Sequence, residues 1–263
     1  MSADVATAVF FHAHPDDEAI ATGGTMAKMA SEGHRVILVT ATRGELGEVP
    51  PGMLGDGETL AELRVQELER ASEVLGVSRL EFLGYRDSGM LGEESNNDPA
   101  SFWQADLEEA SLRLASILEE ENADVLTTYD EHGGYGHPDH VQVHRVGVRA
   151  AEIAGTPRVF LATQNRDYVQ DLMNNAADFG VERPNIDFDG FGEPAERIST
   201  AVDVSGFLDP KRRAMQAHAS QISESSFFLS MPEEAFAVIW GTEWYIRLGA
   251  RRSEPLETSL LEL

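Results

Sequence analysis

Short apolar runs alternate along the first part of the chain with longer stretches in which apolar residues recur every three or four positions. That alternation predicts an α/β domain built on a mostly parallel sheet. Ala8-Val9-Phe10-Phe11 and Arg35-Val36-Ile37-Leu38-Val39-Thr40 read as buried strands, and Gly24 to Glu32 between them reads as a helix ended by Gly33. Thr59 to Leu75 predicts a second helix, with Leu60, Leu63, Leu68, Ala71 and Leu75 near helical spacing and Gly76 after it; Leu80 to Leu83 follows as a short strand. From Asp106, the positions Leu107, Ala110, Leu114, Ile117 and Leu118 mark one face of a third helix, which leads into the strand Asp124 to Thr128. Another helix starts near Pro138, a residue suited to a first turn, and precedes the strand Val159 to Ala162.

Beyond residue 163 the periodicity weakens. Asn174 to Arg197 is rich in Gly, Pro, Asp and Asn and reads as a long loop. Pro210 to Ser220 and Glu233 to Trp240 read as helices, Trp244 to Leu248 as an edge strand, and the acidic tail after Gly249 as mobile. The expected organisation is a Rossmann-like core over 1–163 with helices on both faces of the sheet, and a smaller C-terminal elaboration of the same domain over 164–263.

Composition narrows the function. The 263 residues are 42% hydrophobic and 25% charged, enough apolar material for a sizeable core. With 20 Lys plus Arg against 46 Asp plus Glu, the formal charge is −26, which repels phosphate backbones and anionic headgroups. The densest basic cluster, Lys211-Arg212-Arg213, is too small for a nucleic-acid footprint. Nucleic acid and membrane are therefore excluded as expected partners. The start of the chain lacks the basic and apolar regions of a signal peptide, and no apolar run reaches the ~18 residues of a membrane span, so a cytoplasmic location is expected. The lysines are Lys28 and Lys211 alone, which with the acidity is compatible with adaptation to high salt or with compositional drift. With no cysteine, disulfides, thiol nucleophiles and thiolate metal sites are excluded, so a metal here would be held by histidine, carboxylate and water.

Six of the eight histidines fall in two short windows. His12-Ala13-His14-Pro15-Asp16-Asp17-Glu18 follows the first strand, and the second window, with His132, His137, His140 and His144, follows the strand ending near Thr128. Ligands of open α/β sheets collect beyond the carboxyl ends of the strands, so both windows should face one crevice. Two imidazoles and a carboxylate suit zinc first, or another divalent metal, with a position left open for water. An extra carboxylate beside the ligands would then take a proton from that water. The plainer reading is that Asp16 and Asp17 cap a helix and the histidines are surface residues.

His14-Pro15-Asp16-Asp17-Glu18 and His137-Pro138-Asp139-His140 resemble the paired signatures of the LmbE-like, or PIG-L, family of zinc-dependent N-acetylglucosamine deacetylases. The resemblance runs from about residue 7 to 163. It implies that His14, Asp17 and His140 hold zinc and that Asp16 is the general base. By the same resemblance His137 polarises the acetyl carbonyl or protonates the leaving amine, Tyr135 assists the oxyanion, and Asp139 orients a neighbouring histidine. Thr42-Arg43-Gly44-Glu45-Leu46-Gly47-Glu48 and Arg86-Asp87-Ser88-Gly89-Met90 are similar to the mycothiol-pathway branch, which implies that Arg64 and Asp87 contact sugar or inositol hydroxyls. Against that, Arg64 could simply pair with Glu67 one turn on, and Asp87 could simply start a turn. His218, in Ala217-His218-Ala219-Ser220-Gln221, also resembles a family motif and could reach the cleft or be a satisfied structural histidine. His34 and His144 read as structural, and His12 as lining the strand end without touching metal.

The expected activity is metal-dependent removal of an acetyl group from a small molecule that contains N-acetylglucosamine. An amidase acting on a mycothiol-type thiol conjugate would use the same chemistry with different pocket walls. A sugar-binding or metal-binding protein without turnover is the reading from another class, and it leaves Asp16 beside Asp17 without a task. A dinucleotide site is disfavoured: the first strand leads into His-Pro-Asp-Asp-Glu, and Gly23-Gly24 and Gly133-Gly134 are not the glycine fingerprint but sites of close backbone approach.

Overall fold

A computed structural model of the chain describes residues 5–175 and 190–261. Its seven strands are β1 (Thr7–His12), β2 (Arg35–Thr40), β3 (Arg79–Phe82), β4 (Val125–Tyr129), β5 (Arg158–Thr163), β6 (Thr200–Asp203) and β7 (Thr242–Arg247). The helices are α1 (Asp17–Ala21), α2 (Gly23–Ser31), α3 (Leu60–Leu75), α4 (Leu107–Glu120), α5 (Pro138–Ala154), α6 (Arg166–Asn174), α7 (Leu208–Ala217), α8 (Phe227–Ser230) and α9 (Glu233–Trp240). One sheet runs in the order β3-β2-β1-β4-β5-β7-β6. The first five of these strands are parallel, while β7 is antiparallel to both β5 and β6.

The sequence order explains where the site lies. From β1 the chain winds outward through α2, β2, α3 and β3, then returns through α4 to place β4 on the other side of β1. Right-handed crossovers in opposite directions put helices on both faces of the sheet, and the reversal opens a crevice between the carboxyl ends of β1 and β4. Both histidine windows start there. Strands covered on both faces read as continuous apolar runs, and Val9, Phe10, Phe11, Ile37, Leu38 and Val39 are indeed fully buried. α3 starts on a capping box in which Thr59 and Glu62 satisfy each other's backbone N–H groups, and it ends on Gly76 in the left-handed conformation.

The C-terminal part departs from expectation in several places. Trp244 to Leu248 is not an edge: β7 lies inside the sheet, and β6, which the pattern did not predict, forms the edge. The alternating burial of β7 imitates an edge strand because long partly buried side chains occupy one of its faces. α6 arises where periodicity was weak and is started by Asn165, whose side chain accepts the Tyr168 N–H. Of the loop expected over 174–197, residues 176–189 lie outside the described residues, and Ala195–Arg197 forms a 3-10 turn. The tail is tied down rather than free. Glu257 exchanges backbone hydrogen bonds with Ser199 and Ala201, its carboxylate accepts from Arg247 at 2.8 Å, and Leu260 is buried. Among the described residues, no helix is long and apolar enough to cross a membrane.

Candidate active site

β1 ends at His12, and the next turn carries His14 and Asp16 before Asp17 opens α1. On the neighbouring strand, β4 ends at Tyr129 and leads into Asp130, whose buried carboxylate gathers the glycine-rich loop: it accepts the N–H groups of His132 and Gly134 at 3.0 and 2.9 Å and the Thr163 hydroxyl at 2.6 Å. Gly133 must be glycine here, since a Cβ on it would lie 2.4 Å from His140 Cβ. α5 then starts with His137 as its cap and Pro138 in its first turn, so His140 faces the crevice from one turn inside the helix.

The two windows meet at Asp17. Its Oδ2 is 3.5 Å from His14 Nδ1 and accepts the His14 backbone N–H at 2.8 Å, while its Oδ1 is 3.4 Å from His140 Nε2. The far nitrogens of both imidazoles are occupied. His14 Nε2 is 3.1 Å from Asp139 Oδ2, and His140 Nδ1 is 3.2 Å from the Gly133 carbonyl. With both rings neutral, as metal ligands must be, a hydrogen on each far nitrogen leaves a lone pair on each near nitrogen, aimed at a carboxylate. His140 Nε2 is buried and has no hydrogen-bond partner. Lone pairs facing a carboxylate repel unless a cation lies between them, and a ligand histidine held by a carbonyl or carboxylate through its other nitrogen is the usual second half of such a site. The donor set therefore fits a borderline divalent metal.

The electrostatics agree. Burial alone would push the Asp17 carboxyl up, but the His140 and His14 imidazoles hold it well below the usual carboxylate range. At His14, hydrogen bonds to Asp139, Asp17 and Asp87 overcome burial and favour the protonated ring, so the carboxylates around it call for positive charge that a metal ion on Nδ1 would supply in place of the proton. Burial lowers His140. The nitrogens of His14, His137 and His140 also lie within 4.8 Å of one another, so His137 borders the same space.

His137 Nδ1 accepts the Asp139 N–H at 3.1 Å, which places the hydrogen of a neutral ring on Nε2. Tyr135 is 56% exposed, and its ring centroid lies 4.9 Å from that of His140. Asp139 is fully buried; besides His14 it accepts the Ser88 N–H at 2.9 Å and pairs with the Ser88 hydroxyl. Asp16 stands beside the cluster, its carboxyl pushed by burial up to about 6 against the pull of Arg64.

The remaining residues take structural partners, some expected and some not. Arg64 does not pair with Glu67, and its Nε has no hydrogen-bond partner. It is 4% exposed, and its guanidinium donates to the carbonyls of Gly44 and Pro15 at 2.6 and 2.5 Å and to Asp16 Oδ2 at 3.2 Å. Glu67 instead accepts from the backbone and hydroxyl of Ser220. Asp87 does start a turn, accepting the Gly89 N–H, and its Oδ1 also reaches to 3.5 Å from His14 Nε2. His218 does not line the cleft: it is 0% exposed and lies 2.6 Å from Glu18. Glu18 was absent from the expected site, although it completes the first window. His12 hydrogen-bonds Tyr129 and Thr22, His34 accepts the Ala6 N–H and His144 contacts the Tyr129 carbonyl, so all three serve structure.

Comparison with known proteins adds identity to this geometry. A family profile described as PIG-L, GlcNAc-PI de-N-acetylase, matches residues 9–151. A 1D-myo-inositol 2-acetamido-2-deoxy-alpha-D-glucopyranoside deacetylase of Thermomonospora curvata is 42% identical over 93% of this chain and 91% of its own length. The enzyme of the same name from Acidothermus cellulolyticus is 42% identical over 93% and 89%. Among solved structures, N,N'-diacetylchitobiose deacetylase from Pyrococcus horikoshii superposes with a TM-score of 0.60 at 22% identity, covering 93% of this chain and 84% of its own. A 4-carboxy-2-hydroxymuconate hydratase from Pseudomonas putida superposes with 0.61 at 18% identity, covering 95% and 98%. One fold thus carries a deacetylase and a hydratase, and the chemistry has to be argued from the side chains.

Proposed function

The chain belongs to the PIG-L family, and from that premise we propose that it hydrolyses the N-acetyl amide of 1D-myo-inositol 2-acetamido-2-deoxy-alpha-D-glucopyranoside, releasing acetate and the free amine. The observation that carries the reading is the buried, unpartnered His140 Nε2 facing the Asp17 carboxylate, with His14 Nδ1 on the other side. His14, Asp17 and His140 would hold zinc. When bound, the cation supplies Lewis acidity to a water and to an acyl oxygen.

The chain's own groups do the rest. Asp16 takes a proton from the attacking water, a task suited to a carboxylate whose burial raises its proton affinity. His137, with its hydrogen on Nε2, donates a hydrogen bond to the amide oxygen as charge develops there, and the proton that Asp16 took from the water goes to the leaving nitrogen as the C–N bond breaks. Tyr135, on the exposed loop beside His140, adds a second donor from the solvent side. Asp139 holds His14 in the tautomer that leaves Nδ1 free, and Ser88 holds Asp139. Arg64 fixes the Pro15 carbonyl and Asp16 Oδ2 from behind the base. Asp87, beside His14 at the cleft, is the group offered to a substrate hydroxyl.

The test combines acetate release over a panel of N-acetylated amino sugars, with and without inositol, and metal analysis of purified protein. Asp16→Asn is expected to keep stoichiometric metal and lose at least ~100-fold in kcat, while His140→Ala loses the metal. Wild-type turnover by Asp16→Asn would remove the base assignment. Protein that holds no divalent metal and gains no activity on its addition would remove the hydrolase mechanism.

A further inference from the structure

Asp16 has φ 117° and ψ −31°; with Asn122 it is one of the two non-glycine residues with positive φ among the described residues. This backbone is unfavourable for a side-chain-bearing residue and persists only when its surroundings hold it. Three groups hold it. Its carbonyl accepts the N–H groups of Ala19 and Ile20 at the start of α1, Arg64 donates to Pro15 O before it, and its own N–H donates to Glu18 Oε2 at 2.9 Å. Glu18 is 0% exposed, and its other oxygen lies 2.6 Å from Nε2 of His218, also 0% exposed. His218 arrives from the end of α7, and its Nδ1 has no partner, which leaves Nε2–H as the donor to Glu18.

We propose that Glu18 and His218 form a latch that fixes the Asp16 main chain and thereby aims the Asp16 carboxylate; both are positioning residues for the amide hydrolysis. The inference rests on the reading of Asp16 as the base. A buried carboxylate–imidazole pair is a poor device for stability alone, since apolar residues of equal volume serve as well or better. What apolar residues cannot do is accept the Asp16 N–H and, through a second oxygen, anchor that acceptor to a distant helix. Without the acceptor, the peptide before Asp16 is free to turn toward ordinary φ, which swings its Cβ away from the present direction.

Glu18→Gln tests this, because its amide offers one acceptor oxygen to two donors, the Asp16 N–H and the His218 Nε2–H. The expected result is wild-type metal stoichiometry, KM within about three-fold, and kcat reduced by at least about ten-fold, the cost of a misplaced base. In the Asp16→Asn background, Glu18→Gln is expected to change the residual kcat by less than about two-fold, because residues acting as one unit are not additive. His218→Gln, which can still donate to Glu18, is expected to retain most of kcat where His218→Leu does not, and this pair decides the matter if Glu18→Gln fails to fold. The latch is overturned if Glu18→Gln keeps wild-type kcat while Asp16→Asn is inactive. It is equally overturned if Glu18→Gln loses metal or lowers the Asp16→Asn residual rate by its full factor. Wild-type turnover by Asp16→Asn would instead remove the base reading itself.

Discussion

Lys211→Met should destabilise the protein by about 3 kcal/mol. Lys211 on α7 is fully buried, and its Nζ donates to Glu243 Oε1 at 2.5 Å and to the Ile20 carbonyl at 2.8 Å, with the Trp240 ring centroid 5.5 Å away. Glu243, on β7, accepts the N–H groups of Gly24 and Thr25 at 2.8 Å each. Thr22 provides no side-chain cap to α2, so a carboxylate from the far end of the chain satisfies two first-turn donors of that helix. Methionine matches the stem of lysine but removes the cation, leaving a buried carboxylate without its counter-charge, for which ~3–5 kcal/mol is the usual cost. The two helix N–H groups and the Tyr245 hydroxyl, 3.3 Å away, remain to stabilise the carboxylate, which favours the lower end of that range. Against a total of ~5–15 kcal/mol, this is a large fraction. The assay is urea unfolding of Lys211→Met, Glu243→Gln and the double variant, in low and high salt. The single variants should lower the midpoint by roughly 1 M or more, with little salt dependence because the pair is buried. The double variant should lose clearly less than the two singles summed. A loss below about 1 kcal/mol for Lys211→Met, or strict additivity in the double, would refute the reasoning.

Two further predictions concern other parts of the fold. Glu121, behind β2 and β3 and away from the site, is held at about 2, below its ordinary 4.5, by hydrogen bonds from Arg35 and then Arg79. A depressed carboxylate adds stability that is full above pH ~4.5 and is lost as pH falls through ~2. The partly exposed guanidinium groups reduce a nominal ~3 kcal/mol to about 1 kcal/mol. Glu121→Gln should therefore be less stable than wild type by that amount at pH 7, the gap should close as pH falls from 4.5 toward 2, and turnover should not change. Gly147→Ala should cost ~1–3 kcal/mol by overpacking, because a Cβ there would lie 2.4 Å from Thr128 Oγ1 on β4; thermal unfolding checks it.

The local signals in the sequence were read most faithfully where their causes are local. β2 has the expected bounds, α3 runs to Leu75 as expected and starts one residue after Thr59, and Pro138 opens α5. The two histidine windows could be assigned to one crevice because strand order and handedness in a parallel sheet leave little choice. What stayed hidden depends on partners far along the chain. β7 reads as an edge until β6 is known to pair with it, and nothing in 200–203 announces that pairing. Arg64 was weighed against a neighbour on its own helix, yet its partners are carbonyls of two loops, which no side-chain pattern records. Glu18 sat in plain view as the last letter of its motif, but its task becomes visible only with the Asp16 backbone angle and with His218, 200 residues away.

That sequence separation has a consequence for how the protein comes into being. Glu243 follows Gly24 by 219 positions and His218 follows Glu18 by 200. A ribosome adding ~5–20 residues per second therefore exposes the first motif for roughly 10–40 s before either anchor exists. β1 and its turn must wait as unfinished structure while the parallel strands assemble around them. The first motif is thus made some 200 residues before the groups that hold its turn and the helix after it.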